Sequence, residues 1–226
     1  FSDRQAPYVR TLAFNLYTEE MRSQLEAQLI QRIEEKDRHL FTGFLSTPFL
    51  LPVLSEAGET ELAYEILLQE DNPSWIYAIN KGATTIWEDW EGISEKGVPT
   101  ASQNHYSKGA VASWFFEYIC GIQMDPAVPA YKHFYLKPQP GGGLTSATAA
   151  FRSINGEIQS AWLQNEAFID YSFTVPTNTT ASVELKDVAE FPGEASLKNF
   201  ERDGAVVRFD LGSGRYHFSV EHQSHP

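Results

Sequence analysis

At 226 residues, 42% hydrophobic and 21% charged, the chain has the composition of a folded globular protein, with room for one large domain or two modest ones. A formal net charge of −13 argues against nucleic acid as a partner, and no apolar run approaches the roughly 20 residues that a membrane helix needs. The charge is uneven, 19 acids against 9 bases in residues 1–130 and 11 against 8 beyond, which weakly disfavours polyanionic polymers and leaves neutral ligands unaffected.

The chain opens FSDRQAPYVR, with neither an initiator methionine nor a leader pattern, and reads as entry into the middle of a helical domain of a longer protein. Residues 1–125 read as helices. One is expected over 5–16. In TEEMRSQLEAQLIQRIEEK, Met21, Leu25, Leu29 and Ile33 recur every fourth residue behind a Thr18 cap and two first-turn glutamates. Ser46-Thr47-Pro48 starts a third helix, which Gly58 closes and Pro52 is expected to bend or shorten. Further helices are expected near 60–70, 73–81 (Pro73 to Gly82) and 106–121. Helix follows helix with few strand signals between, which suggests antiparallel hairpins in an all-α layer or toroid. Tyr8, Trp114, Phe115, Phe116 and Tyr118 recur at helical spacings and are expected in the core. Cys120, the lone cysteine, lies in the same apolar pattern as a buried structural thiol.

DPAVPAYKHFYLKPQPGGG marks a boundary, and residues 126–226 read as an antiparallel sandwich. TSATAAFRSI and GEIQSAWL flank Asn155-Gly156, a two-residue hairpin signal. AFIDYSFTV alternates. AVVRFDL and RYHFSVE flank Gly212-Ser213-Gly214 as a further hairpin, with Tyr216, Phe218 and Val220 on one face. Asn178-Thr179-Thr180 fits the glycosylation pattern and is read as a chance match.

The chemistry concentrates in TTIWEDWEG, residues 84–92. The β-branched Thr84, Thr85 and Ile86 disfavour helix, so the segment is expected on a loop at the mouth of a helix pair. In extended backbone Glu88 and Trp90 would share one side, opposite Trp87, Asp89 and Glu91. A solvated acidic loop with two anchored tryptophans is one reading; a sugar site is the other. Sugars present apolar C–H faces and polar hydroxyl edges, and glycoside hydrolysis needs two carboxyl groups, one of them acting as acid. Trp75 precedes the segment by one short helix, and His105 follows Glu88 by seventeen residues. A metal site from His105, Glu88, Asp89 and Glu91 lacks a histidine pair, and a serine triad lacks a GxSxG elbow.

NPSWIYAINKGATTIWEDWEG followed by NHYSKGAVASWFFEYICGI resembles the C-terminal part of the bacterial α-L-rhamnosidases of glycoside hydrolase family 78. TGFLSTPFLLPVLSEAGETELAYEILLQE and KHFYLKPQPGGGLTSATAAFRSINGEIQSAW fit the same family, so the resemblance covers residues 1 to about 185. It implies an α+β multidomain chain, part of an (α/α)6 barrel followed by an antiparallel β-sandwich. The implied activity is removal of terminal α-L-rhamnose from glycosides or polysaccharides, with inversion and without metal or cofactor. Glu88 falls on the general base, and Trp75, Trp90 and His105 on pocket walls. The general acid is expected upstream, in the N-terminal remainder of the enzyme, and the setting in the bacterial cytoplasm or periplasm. Asp89 replaces an arginine common in the family, and the 91–104 loop is short. The alternatives are another inverting glycosidase on the same toroid, or a non-catalytic carbohydrate-binding or structural fragment.

Overall fold

The computed structural model describes residues 2–165, 167–193 and 196–222. The chain forms two compact units, Phe1–Trp114 and Phe115–Pro226.

The first unit is helical: α1 Gln5–Ala13, α2 Arg22–Glu34, α3 Thr47–Glu56, α4 Thr60–Leu68, α5 Trp75–Asn80 and α6 Val111–Trp114. Helix α1 stops three residues before the expected 16. Asn15 takes a left-handed conformation (φ 52°), and the Asn15 and Leu16 amides return to the Leu12 and Thr11 carbonyls. Ahead of α2, Thr18 heads a 3₁₀ turn, Glu19–Met21, rather than the α-helix itself. That turn moves Met21 off the stripe: it is 44% exposed, while Leu25, Leu29 and Ile33 are buried. Helix α3 runs through Pro52 to Glu56 and presents Leu50, Leu51, Val53 and Leu54 to the core. Pro73 lies before the cap of α5, and Ser74 makes it, accepting the Tyr77 amide at 3.0 Å.

Contacts of α1 with α2 and α3, and of α3 with α4, enclose one apolar core that includes Tyr8, Val9, Leu29, Ile33, Leu54 and Tyr64. Each such side chain contributes roughly 1.5–3 kcal/mol through burial. Gln5 is buried and fully used. Its Nε2 donates to the His39 carbonyl at 2.9 Å, and its Oε1 accepts the Phe41 amide at 2.6 Å, so one side chain fastens α1 to the segment after α2. Trp114 donates to Ser55 Oγ at 2.9 Å and meets Tyr64 edge-on at 5.0 Å, which locks α6 against α3 and α4.

The expected 106–121 helix is a composite. A 3₁₀ turn (Ser107–Ala110), α6 and a π-helical turn (Phe115–Ile119) follow one another, so the winding widens along the chain. Tyr118 and Trp114 are buried as expected. Phe115 and Phe116 are not: they are 38% and 41% exposed, because the wider π turn takes them off a 3.6-residue stripe.

Among the described residues the second unit holds ten strands: β1 Ile122–Met124, β2 His133–Leu136, β3 Ser146–Ser153, β4 Gly156–Gln164, β5 Phe168–Val175, β6 Thr180–Leu185, β7 Val188–Glu190, β8 Lys198–Asp203, β9 Val206–Leu211 and β10 Gly214–His222. They form two five-stranded sheets, β1-β2-β6-β9-β8 and β3-β4-β5-β10-β7, in which β2 and β6 pair in parallel and every other pair is antiparallel. The composition change at 125–126 falls after β1, whereas the units divide at 114–115. The residues between belong with the sheets: Trp162 Nε1 donates to the Ile119 carbonyl at 2.8 Å, and the Lys137 amide to the Gly121 carbonyl at 2.9 Å. Cys120 is buried, which pushes its thiol up to about 11.

The first expected hairpin forms, with Ile154 and Asn155 as its turn and Ser153 opposite Gly156. The last does not. β9 pairs with β6 and β8 while β10 pairs with β5 and β7, so Gly212-Ser213 carries the chain from one sheet to the other. The shared face of Tyr216, Phe218 and Val220 holds, and Phe218 meets Phe209 of the opposite sheet at 5.3 Å. Residues 223–226 of the expected sandwich lie outside the described residues. On the other face of the first sheet, one polar row crosses its strand order. His133 Nδ1 lies 2.8 Å from Asp125 and its Nε2 3.1 Å from Ser182, Ser182 donates to Asp210 at 2.6 Å, and Asn199 donates to the same carboxylate at 2.6 Å.

Candidate functional site

The segment 84–105 in the helical unit is an irregular antiparallel turn-back. The His105 amide donates to the Ile86 carbonyl at 2.8 Å, the Glu88 amide to Ser102 at 2.9 Å and the Thr100 amide to Gly92 at 3.0 Å. Thr85 Oγ1 donates to the Gln103 carbonyl. Ile93 bridges Pro99, and the chain reverses over Ser94–Gly97, where the Gly97 amide returns to the Ser94 carbonyl at 2.8 Å. These links satisfy backbone groups that neither helix nor sheet serves. They also carry His105 back beside the strand of Glu88, which sequence separation alone did not show.

Trp87 anchors the segment. Its indole is buried (5% exposed) and fills the space over Gly92, where an added Cβ would lie 1.7 Å from Trp87 Cε3. Gly92 also holds φ +62°, a conformation that favours glycine. Next along the chain, Glu88 is half-buried, and its Oε2 accepts the Ser102 amide at 3.2 Å. Asp89 and Glu91 are exposed, and Trp90 is half-buried.

Trp75, at the start of α5, is buried beside this wall. It meets Trp90 edge-on with centroids 5.2 Å apart and donates from Nε1 to the Lys108 carbonyl at 3.0 Å. A cavity of about 290 Å³ opens here, lined by Trp75, Ile79, Ile86, Trp87, Trp90 and Lys108 among others, with Asp89 at its edge. A broader one of about 750 Å³ adjoins it through Asp89 and Trp90 and reaches Glu91, Phe41 and Arg4. The backbone does not alternate as an extended strand would: Trp87, Asp89 and Trp90 line the same cavity, and Glu88 lines neither. The structure thus joins Trp75 to Trp90 directly. It ties Glu88 to Ser102 and places His105 with its ring stacked on Tyr106 (5.2 Å) and near Phe44 (5.5 Å).

Lys108 was not singled out by the sequence. It is 4% exposed, and its Nζ stands 3.8 Å from the Trp90 ring centroid. Burial pushes its ammonium down to about 8, partly offset by the negative charges of Asp89 and then Glu88. The one available signal was a lysine interrupting an otherwise apolar helix start three residues after His105. Ser102, inside a polar loop, carried none.

Comparison with known proteins places the chain in a family. Residues 2–119 match the family model described as the bacterial alpha-L-rhamnosidase 6 hairpin glycosidase domain, and residues 121–196 match the bacterial alpha-L-rhamnosidase C-terminal domain. The chain is 41% identical to an α-L-rhamnosidase of Streptomyces avermitilis, over 96% of this chain and 22% of that protein. It is 38% identical to one of Formosa agariphila, over 96% of this chain and 25% of that protein. The crystal structure of the Streptomyces avermitilis enzyme complexed with L-rhamnose superposes with a TM-score of 0.87 at 38% identity, covering 97% of this chain and 22% of that one. The chain therefore spans about a quarter of the length of these relatives. Its α+β architecture, a helical unit from a six-hairpin domain followed by an antiparallel-rich sandwich, is theirs. This chain belongs to the bacterial α-L-rhamnosidase family.

Proposed function

We propose that this chain is the C-terminal portion of an α-L-rhamnosidase, and that it supplies the water-activating carboxylate and one wall of the rhamnose pocket. The observation that supports the reading is a half-buried carboxylate held by the Ser102 amide: Glu88 lies outside the indole-lined cavity but stands in the chain between Trp87 and Asp89, which line it with Trp75 and Trp90. Glu88 acts as general base. It takes a proton from a water whose oxygen bonds to the anomeric carbon as the bond to the leaving oxygen breaks. A carboxylic acid from the remainder of the enzyme protonates that oxygen. Attack from the opposite face inverts the centre, and the two carboxyl groups stand about 6.5–9.5 Å apart so that water fits between them. Trp75 and Trp90 offer apolar faces to the sugar's C–H surface, and His105 completes the wall. The substrate is a rhamnosylated glycoside or polysaccharide, and the N-terminal remainder of the enzyme is the partner that completes the site.

The test is Glu88→Gln in the full-length enzyme, assayed on an aryl α-L-rhamnoside. Turnover falls by at least ~10²-fold, the low end for general base catalysis. Near-normal turnover removes Glu88 from the role. Hydrolysis of a fucoside or glucoside in place of the rhamnoside would instead favour an inverting glycosidase for another sugar.

A further inference from the structure

Lys108 is buried in a way that structural lysines rarely are. An ammonium taken out of water is costly unless charged or hydrogen-bonding partners compensate, and fully buried lysines are almost always paired. Lys108 is 4% exposed and lines the indole-walled cavity, yet its Nζ has no hydrogen-bond partner among the described residues. Its nearest compensation is the face of Trp90, 3.8 Å from the nitrogen. The Lys108 carbonyl accepts from Trp75 Nε1, so the same residue touches both indoles that meet edge-on. The charged groups acting on the ammonium are Asp89 and Glu88, both on the 84–92 segment. What α5 contributes to the cavity is uncharged: Trp75, Ala78 and Ile79. His105, on the same stretch as Lys108, has its ring against Tyr106 and Phe44.

We propose that Lys108 is a positioning residue for the sugar pocket: its ammonium, seated on Trp90 and backed by Asp89 and Glu88, holds that indole against Trp75 in the orientation that receives the sugar. The inference rests on the reading of Trp90 as a pocket wall. It also makes binding of a neutral sugar depend on pH, because the clamp works only while Lys108 is charged. With its ammonium brought down to about 8, the clamp is intact at pH 7 and released as pH rises through that value.

The experiment is the dissociation constant of L-rhamnose for the full-length enzyme, measured by calorimetry between pH 7 and pH 9. L-Rhamnose carries no titrating group in this window, so any dependence comes from the protein. In the parent, affinity falls about three- to ten-fold across the window, the scale of a cation–π contact. Lys108→Arg, charged throughout, keeps the pH 7 affinity and loses the dependence. Lys108→Met binds at pH 7 as weakly as the parent does at pH 9. A flat parent profile, or an unchanged dependence in Lys108→Arg, overturns the proposal, and neither outcome needs the methionine variant to fold. If the parent binds no L-rhamnose, or if Trp90→Ala binds it as well as the parent, the pocket reading itself fails. Binding with a flat profile removes Lys108 alone.

Discussion

Two groups of aromatic side chains, one in each unit, keep different company. In the sandwich, Phe191, Phe200, Phe209 and Phe218 meet one another at centroid distances of 5.2–6.4 Å, and Tyr171 and Phe173 lie 6.1 Å apart. In the helical unit, Trp87 and Trp90 alternate with Glu88, Asp89 and Glu91, and Lys108 sits on the Trp90 face. The first arrangement serves burial alone. The second buries Lys108 and half-buries Glu88 beside indoles, a desolvation that lowers stability and marks a candidate functional site.

The contrast can be broken by substitution. Phe209→Ala empties the point where the two sheets interlock and costs about 3–5 kcal/mol, the range for a buried phenylalanine. Chemical unfolding of the sandwich follows this loss, while turnover per folded enzyme stays at the parent's value. A sandwich substitution that changed turnover would join what the contrast separates. Gly92→Ala tests the other side. Its methyl collides with Trp87 and its backbone takes a left-handed angle, so it costs about 3 kcal/mol locally and disorders the wall. Near-ultraviolet circular dichroism of the tryptophans loses intensity and rhamnose binding weakens together; loss of one without the other would show that the wall does not act as a unit.

The smallest effect concerns acid. The Ala127 amide, opposed by burial and then assisted by His133, holds the Asp125 carboxyl below its ordinary value of 3.8. A depressed carboxylate contributes stability that is present above its unfolded value and is lost as pH falls through the folded one. The sandwich therefore weakens below about pH 4, and Asp125→Asn flattens that part of the acid-unfolding curve.

Local pattern revealed what local physics decides. The stripe Leu25, Leu29 and Ile33 and the Asn155 turn are set by residues a few positions apart. So is the identity of the indole–carboxylate segment, because its composition is unusual in itself. Sheet membership of β9 and β10 was hidden, since Gly212-Ser213-Gly214 announces a turn without saying whether the next strand pairs with its neighbour or crosses the sandwich. The 84–105 pairing was hidden because its ladder has no alternating pattern. Lys108 was hidden for a related reason: a lysine reads as solvated until the fold closes over it. Positive charge reaches the neighbourhood of Asp89 from Lys108.

The strand order of the second sheet has a consequence in time. β10, the last described strand along the chain, lies between β5 and β7, and β7 has its pairing with β10. During synthesis at about 5–20 residues per second, β3, β4 and β5 can zip together early, while β7 has to wait with its edge unpaired. Only when residues 214–222 have left the ribosome does that sheet close and the Phe209–Phe218 contact form. Closure of that sheet waits on β10, and the interval before β10 arrives is when the nascent chain most needs protection from pairing elsewhere.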